Sequence, residues 1–205
     1  MRGLRDKVVI VTGGAGGIGK ATCCRFAEEG AKVAIFDLNA EAAEAAVAEI
    51  KEAGGVAEAV VVDLTDYEAV QKAVADTESS LGPVDVLVNN AGWDRFTPFL
   101  KTDPDFWQKI ISINLLSVLN MSHVVVAGMA ERGAGRVVNV ASDAGRVGSS
   151  GESVYSACKG GIIAFTKTLA REHARQGLTF NTVCPGLTDT AMFDGFLEAA
   201  GNPDK

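Results

Sequence analysis

A tyrosine and a lysine four positions apart have side chains suited to acid–base chemistry. Tyr155 and Lys159 lie in a segment with a helical pattern, and residues i and i+4 of a helix share one face. A phenol in water has a pKa near ~10 and a neighbouring ammonium ion lowers it, so we expect Lys159 to activate Tyr155. Ser142 can hydrogen-bond a carbonyl or alkoxide oxygen, and Asn114 can hold a water behind Lys159. The four side chains predict a proton relay, although Tyr-x-x-x-Lys alone is more often structural than catalytic.

A glycine-rich segment follows the first short apolar run, Val8–Val11, and leads into a helical pattern. Glycines at such a junction let the backbone approach a pyrophosphate, which the N-terminus of the helix attracts. Two registers are possible. The general dinucleotide pattern is formed by Gly14, Gly16 and Gly19, and a longer variant is formed by Gly13, Gly17 and Gly19. A flexible turn is the alternative. No lysine followed by Ser or Thr completes a nucleoside-triphosphate loop.

An acidic residue ends the second apolar run. The carboxylate of Asp37 can accept hydrogen bonds from both hydroxyls of an adenosine ribose and would repel a 2′-phosphate, so it favours NAD over NADP. Alternatively, Asp37 only caps the helix that begins near Ala40. Asp63, after the third apolar run, can bind the adenine amino group or cap a turn or helix. The segment 89–92, Asn-Asn-Ala-Gly, is small and polar enough to lie against a cofactor.

The elements that must position these residues alternate along the chain. Strands are predicted at Val8–Val11, Lys32–Phe36, Ala57–Val62, Val84–Val88, Arg136–Val140 and Leu178–Val183, and helices at Ile18–Glu29, Glu41–Ala53, Asp66–Ser80, Phe106–Arg132 and Val154–Gln176. Nearly continuous apolar strands separated by helices indicate an α/β fold with a doubly wound parallel sheet. Residues 1–205 are predicted to form a single domain. Ligands of such sheets bind beyond the carboxyl ends of the strands, where the residues above lie.

Composition limits the classes of partner. The net charge of −7 and the absence of a basic stripe argue against nucleic acid and against an anionic membrane surface. We expect neither a signal peptide nor an apolar run long enough to cross a bilayer. Four cysteines lack the spacing of a metal site or a disulfide framework, so we expect reduced thiols, no metal and a cytoplasmic location.

The order of these motifs, from Lys7 to Met192, resembles that of the short-chain dehydrogenase/reductase family. The resemblance implies a Rossmann fold, a catalytic quartet of Asn114, Ser142, Tyr155 and Lys159, and the longer glycine register. It also implies that Thr188 contacts the nicotinamide carboxamide and that the protein is a homotetramer assembled through its long helices. The expected NAD-binding residues are Gly13, Gly17, Ile18, Gly19, Asp37, Asp63, Asn90, Ala91, Gly92, Tyr155, Lys159, Pro185, Gly186 and Thr188. The alternative for Pro185 and Gly186 is that they simply end a strand.

Loops over the strand ends should bind the substrate, through Trp93, Arg95, Ser142, Arg146, Met192 and Phe193. Their aromatic rings favour an apolar, cyclic substrate body, and the arginines a negative group such as a CoA phosphate, although solvated surface arginines are more common. The segments around Trp93 and before Tyr155 are similar to those of 2-hydroxycyclohexanecarboxyl-CoA dehydrogenases. This similarity implies an NAD-dependent enzyme that interconverts a cyclic 2-hydroxyacyl-CoA and its ketone.

Two alternatives remain open. A 3-oxoacyl-thioester reductase is the nearest one, but such enzymes usually prefer NADP, which Asp37 disfavours. Members of the family continue beyond the region of Met192 into further helices and a seventh strand, so we expect a sheet without its last strand and a more open pocket. A non-catalytic module that binds the cofactor and recruits a partner is therefore the second alternative.

Overall fold

Six parallel strands form one sheet in the computed structural model, which describes residues 3–190. The strands are β1 (Val8–Thr12), β2 (Lys32–Asp37), β3 (Val56–Val61), β4 (Val84–Asn89), β5 (Gly135–Val140) and β6 (Leu178–Val183). The α-helices are α1 (Gly17–Glu28), α2 (Ala40–Glu52), α3 (Tyr67–Leu81), α4 (Pro104–Ile111), α5 (Ser117–Arg132), α6 (Ala144–Val147) and α7 (Ser153–Glu172). The predicted doubly wound α/β fold is confirmed.

The strand order β3-β2-β1-β4-β5-β6 reverses direction between β1 and β4. The chain first moves outward through β2 and β3, returns to β4, and then moves outward on the other side. Crevices for ligands form at such a reversal, outside the carboxyl ends of the strands. The segments that follow β1 and β4 therefore meet at this point, and they carry the glycines and the Asn-Asn-Ala-Gly sequence.

Both faces of the sheet are covered by helices, which explains the continuous apolar strands. All five residues of β1 are buried. Val9 and Val11 pack on one face with residues of α1 and α2, whereas Val8 and Ile10 pack on the other with residues of α3 and α5. Alternate residues of one strand thus belong to two separate hydrophobic clusters. This packing fixes β1 and, with it, the loop that follows.

The predicted helix over 106–132 starts earlier and is interrupted by a wider turn. Pro104 occupies the first turn of α4, and the carboxylate of Asp103 accepts a hydrogen bond from the backbone N–H of Phe106 at 2.8 Å. Between α4 and α5, residues Ser112–Leu116 form a π-helical segment. Gly133, with a φ of 64°, then ends α5 in the left-handed conformation that glycine favours.

The continuous helical stretch Pro104–Arg132 is long and apolar enough, by length and composition alone, to cross a membrane. This corrects the expectation that no such run exists. Half of its most apolar window is buried in the protein, and α5 packs against β4. Core helices of soluble proteins meet the same criterion, so the stretch is only weak evidence for a membrane span.

Candidate active site

The glycine-rich loop after β1 has the backbone geometry of the longer register. Gly13 and Gly17 have φ values of +59° and +51°, which disfavour residues with a side chain. A Cβ atom on Gly19 would lie 2.0 Å from the carbonyl oxygen of Gly13, whereas one on Gly16 would meet nothing within 4 Å. A Cβ on Gly14 would also crowd the carbonyl oxygen of Val11, at 2.9 Å, so Gly14 is needed for packing. The protein itself therefore requires glycine at 13, 14, 17 and 19, and leaves the outer side of Gly16 open.

Hydrogen bonds from the segment after β4 hold this loop in place. The side-chain amide of Asn90 donates to the carbonyl oxygens of Thr12 and Gly13 at 3.1 and 3.0 Å. The hydroxyl of Thr12 accepts from the backbone N–H groups of Asn90 and Ala91 at 2.9 and 3.0 Å. Sequence reasoning did not identify Thr12, although its position as the last residue of β1 was a usable signal. Asn89 points the other way and donates to Ser122 and Asn139 in the core.

The two acidic residues expected near adenosine both hold backbone turns. The carboxylate of Asp37 accepts hydrogen bonds from the N–H groups of Ala15 and Asn39, each at 3.0 Å. Asn39, not Asp37, caps α2, so the capping alternative for Asp37 is wrong. Asp63 forms a turn in which its Oδ1 accepts from the backbone and side chain of Thr65. Asp37 therefore links β2 directly to the glycine-rich loop.

The π-helical segment places Asn114 against the loop after β4. Its side chain is fully buried, accepts from the backbone N–H of Trp93 at 3.1 Å and donates to the Trp93 carbonyl at 2.7 Å. It also donates to the carbonyl of Ile110 at 2.9 Å. A Cβ atom on Gly92 would lie 3.0 Å from Asn114 Oδ1 and 3.4 Å from Lys159 Nζ. The glycine thus leaves space in which these two side chains approach each other.

Tyr155 lies on the first turn of α7 and lines the same cavity as Ser142, which follows β5 and lies close enough to lower the pKa of the tyrosine. Burial raises the pKa of Tyr155 to about 12, the Ser142 side chain opposes this rise, and the charges of Glu152 and Asp94 add to it. The net shift of the Tyr155 pKa is therefore upward, opposite in direction to the shift expected from Lys159. At neutral pH the group is a neutral phenol, the form that donates a proton.

Lys159 is almost completely buried one helical turn after Tyr155. Its ammonium donates to the carbonyl oxygen of Val140 at 3.0 Å and lies 5.4 Å from the centre of the Tyr155 ring. Burial lowers the pKa of Lys159 to about 8. The lysine thus has a fixed position beside the tyrosine but is oriented toward the end of β5.

A cavity of about 840 Å³ lies at the reversal of strand order and contains most of the expected site. Those expected residues that line it are Gly13, Gly17, Ile18, Asn90, Ala91, Gly92, Trp93, Arg95, Ser142, Tyr155, Lys159, Pro185, Gly186 and Thr188. The guanidinium of Arg146 instead pairs with Asp143 at 2.9 Å, on an exposed surface. Asp94 and Glu152 also line the cavity. Met192 and Phe193 lie outside the described residues.

The cavity fits an extended cofactor at its glycine-rich end. There, the open side of Gly16 and the positive φ of Gly17 leave backbone uncovered at the start of α1. The N-terminus of a helix attracts phosphate groups. Residues 7–200 match the family model described as short chain dehydrogenase. The chain belongs to this family.

Several characterised short-chain dehydrogenases are similar over nearly the whole chain. It is 43% identical over 198 residues to an acetoacetyl-CoA reductase from Shinella zoogloeoides, covering 96% of this chain and 80% of that protein. It is 40% identical to a 3-oxoacyl-(acyl-carrier-protein) reductase from Synechocystis sp., covering 94% and 78%. The hydroxy(phenyl)methylsuccinyl-CoA dehydrogenase subunit BbsD from Thauera aromatica is 39% identical, with coverage of 96% and 79%.

Solved short-chain dehydrogenase structures have the same fold. A xylitol dehydrogenase with bound NAD⁺ superposes with a TM-score of 0.87 at 37% identity, covering 90% of this chain and 72% of that one. An actinorhodin polyketide ketoreductase with NADPH gives a TM-score of 0.93 at 35% identity, covering 97% and 77%. This chain is therefore an oxidoreductase of the short-chain dehydrogenase family with a site for a nicotinamide cofactor.

Proposed function

We propose that the protein interconverts a 3-oxoacyl thioester and the corresponding 3-hydroxyacyl thioester. The observation that carries this proposal is the cavity at the sheet reversal, which Ser142, Tyr155 and Lys159 line together. Two curated relatives named above are reductases of 3-oxoacyl thioesters, one of a CoA ester and one of an acyl-carrier-protein ester. They support the thioester reductase over the cyclic 2-hydroxyacyl-CoA dehydrogenase expected from sequence.

Each polar group has a defined task in this reaction. A bound nicotinamide supplies the hydride for reduction or accepts it in oxidation. Ser142 and Tyr155 bind the carbonyl oxygen, and Tyr155 donates its phenolic proton to that oxygen as negative charge develops there. Lys159, held by Val140, stabilises the phenolate that results. Asn114, fixed by Trp93 and Ile110, lies near Lys159, where a water that returns the proton would bind.

We also propose that NAD is the preferred cofactor. Asp37 follows the last buried residue of β2, at the edge of the glycine-rich loop, where an adenosine ribose would lie. Its carboxylate repels a 2′-phosphate. The solved relatives include complexes with each cofactor, so the family alone does not decide between them. The preference rests on this one side chain.

A ring-bearing acyl-CoA is the second candidate substrate. Trp93 lines the cavity and contacts Phe106 edge to face at 6.4 Å, with Lys109 Nζ 3.9 Å above the indole ring. Arg95 lies 5.1 Å from the ring centre of Phe106 and also lines the cavity. An aromatic wall of this kind suits a cyclic substrate body. The relative from Thauera aromatica, whose name includes a phenyl-bearing CoA ester, supports the same candidate.

The deciding experiment measures NADH and NADPH oxidation with acetoacetyl-CoA, with a 2-oxocyclohexanecarboxyl-CoA and with the free ketoacid of each. We expect turnover with the linear thioester, a higher kcat/KM with NADH, and little turnover with the free acids. Higher activity with the cyclic ester would favour the second candidate. NADH binding without turnover of any ketone or alcohol would contradict both and favour the non-catalytic alternative.

Two properties of the whole protein are part of the proposal. Reduced thiols support a cytoplasmic location, since all four cysteines are free. The family resemblance supports a homotetramer built on the long helices α5 and α7. Sedimentation of the purified protein with and without NAD measures its mass directly, and a monomer under both conditions would contradict the tetramer.

A further inference from the structure

Two acidic side chains from distant parts of the sequence meet in the wall of the cavity. Asp94 follows β4 and is 6% exposed, and Glu152 occupies the residue before α7. The side chain of Glu152 makes no capping bond to its own helix. It lies close enough to Asp94 to raise the pKa of that carboxyl, and both residues line the cavity with Tyr155. We refer to Asp94 and Glu152 as the carboxyl pair.

The two members of the carboxyl pair can bond to each other only by holding a proton. Two ionised carboxylates have no hydrogen to share. Asp94 Oδ2 is buried and receives no hydrogen bond from an N–H or O–H group of residues 3–190. Burial raises the pKa of Asp94 to about 6, Glu152 adds to the rise, and the backbone N–H and charge of Arg95 oppose it. Asp94 is therefore largely protonated in mild acid and becomes negatively charged at higher pH.

The carboxyl pair is close enough to Tyr155 to influence its ionisation. Glu152 precedes Tyr155 by three positions at the start of α7, a spacing that places the two side chains on one face. The charges of Glu152 and Asp94 each raise the pKa of Tyr155. A negative charge beside a phenol disfavours the phenolate, which is also negative. The pair thus opposes the activation that Lys159 was expected to provide.

We propose that the Asp94–Glu152 pair acts through Tyr155 as a positioning pair, holding it as the neutral phenol and biasing the site toward carbonyl reduction. Reduction needs a phenol that donates a proton, whereas alcohol oxidation needs a phenolate that accepts one. Loss of the pair's charge should make the phenolate accessible at lower pH. The consequence for reaction direction rests on the proposed function, but the effect on the tyrosine does not.

Other charged groups near the pair already have partners of their own. The guanidinium of Arg95 lies over the Phe106 ring, and the ammonium of Lys109 lies over Trp93. Arg146 on α6 pairs with Asp143. On α7, the Lys159 ammonium is bonded to Val140, and burial raises the pKa of the Cys158 thiol, which keeps it neutral. Although it lies over Phe106, Arg95 still lowers the pKa of Asp94 through its charge.

The chain contains two tyrosines, so the ionisation of Tyr155 can be measured directly. In a Tyr67→Phe background, tyrosinate absorbance is recorded immediately after rapid mixing of the cofactor-free protein to each pH, before alkaline unfolding. The same background with Tyr155→Phe supplies the blank. We expect Glu152→Gln and Asp94→Asn each to lower the midpoint by about one pH unit, and the double variant to lower it further.

Glu172→Gln is the matched control, because it removes an exposed carboxylate from the last turn of the same helix. Its midpoint should equal that of the parent. The proposal would be overturned if all variants had the same midpoint of Tyr155 ionisation as the parent. It would also be overturned if the control midpoint fell by as much as those of the pair variants. Circular dichroism checks each fold, and Asp94→Asn carries the test if Glu152→Gln does not fold.

A second readout addresses reaction direction. The pH profile of alcohol oxidation should shift to lower pH in the double variant. At neutral pH, the rate of oxidation should rise relative to the rate of reduction. An unshifted profile, alongside a lowered tyrosine midpoint, would overturn the directional part alone. Absence of turnover in the parent protein would contradict the proposed function and leave the absorbance result standing.

Discussion

The protonation state of Tyr155 depends on groups from three segments of the chain. Ser142 lies after β5, Asp94 lies after β4, and Glu152 immediately precedes α7. The sequence placed Tyr155 and Lys159 on one helical face, and the structure agrees. It could not show that Lys159 bonds to Val140 or that two carboxyl groups lie nearby, because those contacts join residues distant in sequence. Neighbours in the fold therefore decide the direction of the pKa shift.

Replacing Tyr155 with phenylalanine removes the proton donor and preserves the ring. General acid catalysis of this kind contributes about 1,000-fold to rate, so we expect kcat for ketone reduction to fall by that order. Tyr67→Phe is the matched control, because Tyr67 bonds to His123 at 2.7 Å on the surface. Steady-state kinetics measures the rates, and quenching of tryptophan fluorescence measures NADH binding, which should change little in either variant. Retention of most of kcat by Tyr155→Phe would contradict the assigned role.

Asp37 provides the corresponding test of cofactor choice. Its replacement by serine removes the charge that repels a 2′-phosphate, so kcat/KM with NADPH should rise relative to NADH by about tenfold or more. Asp76→Asn, which removes an exposed carboxylate from α3, is the control and should leave the ratio unchanged. An unchanged ratio in Asp37→Ser would show that other residues set the preference.

At the scale of elements, the strands and most helices could be predicted because their apolar periodicity is long and regular. β1 and β6 begin at the predicted residues, and the ends of the main helices differ from prediction by a few positions. The π-helical segment Ser112–Leu116 could not be predicted, since one wide turn leaves no distinct apolar pattern. The four-residue helix α6 is likewise too short to show a period. Asn114 and the loop before Tyr155 lie in these two unpredicted places.

The glycine-rich loop allows a test within one element. Gly19→Ala would place a Cβ atom 2.0 Å from the carbonyl oxygen of Gly13, so backbone must move. We expect the free energy of unfolding to fall by about 3 kcal/mol, as in overpacked interiors, and NADH affinity to fall with it. Gly16→Ala is the control for stability, because a Cβ there meets nothing within 4 Å and its φ is −147°. Equal denaturation midpoints for the two variants would contradict the described loop.

At the scale of the whole molecule, the alternation of elements was enough to predict a doubly wound sheet, because parallel crossovers follow one hand. The alternation of elements could not predict which residues contact each other across the cavity. Thr12 ends β1 and Asn90 directly follows β4, and the adjacency of these two strands appears only once the strand order is known. The same holds for the carboxyl pair, since only the folded chain brings the loop after β4 against the start of α7.

The carboxyl pair should also affect the stability of the whole protein in a pH-dependent way. The pKa of Asp94 is raised from 3.8 to about 6, so the folded state binds its proton more tightly than the unfolded state does. The resulting contribution to stability is fully present below the unfolded pKa and is lost as pH rises through about 6. Asp94→Asn removes this dependence. We therefore compare the free energy of unfolding of the variant minus that of the parent. This difference should be about 1–2 kcal/mol larger at about pH 8 than at about pH 4.

Urea denaturation of both proteins across this pH range measures that difference, and groups common to both cancel. Asp76→Asn again serves as the control, because its exposed carboxylate pairs with Lys72 on the surface of α3. The difference between its free energy of unfolding and that of the parent should be nearly constant with pH, since surface ion pairs contribute little to stability. A constant difference for Asp94→Asn as well would mean that Asp94 ionises freely in the folded protein. The raised pKa of Asp94, and with it a proton shared within the pair, would then be excluded.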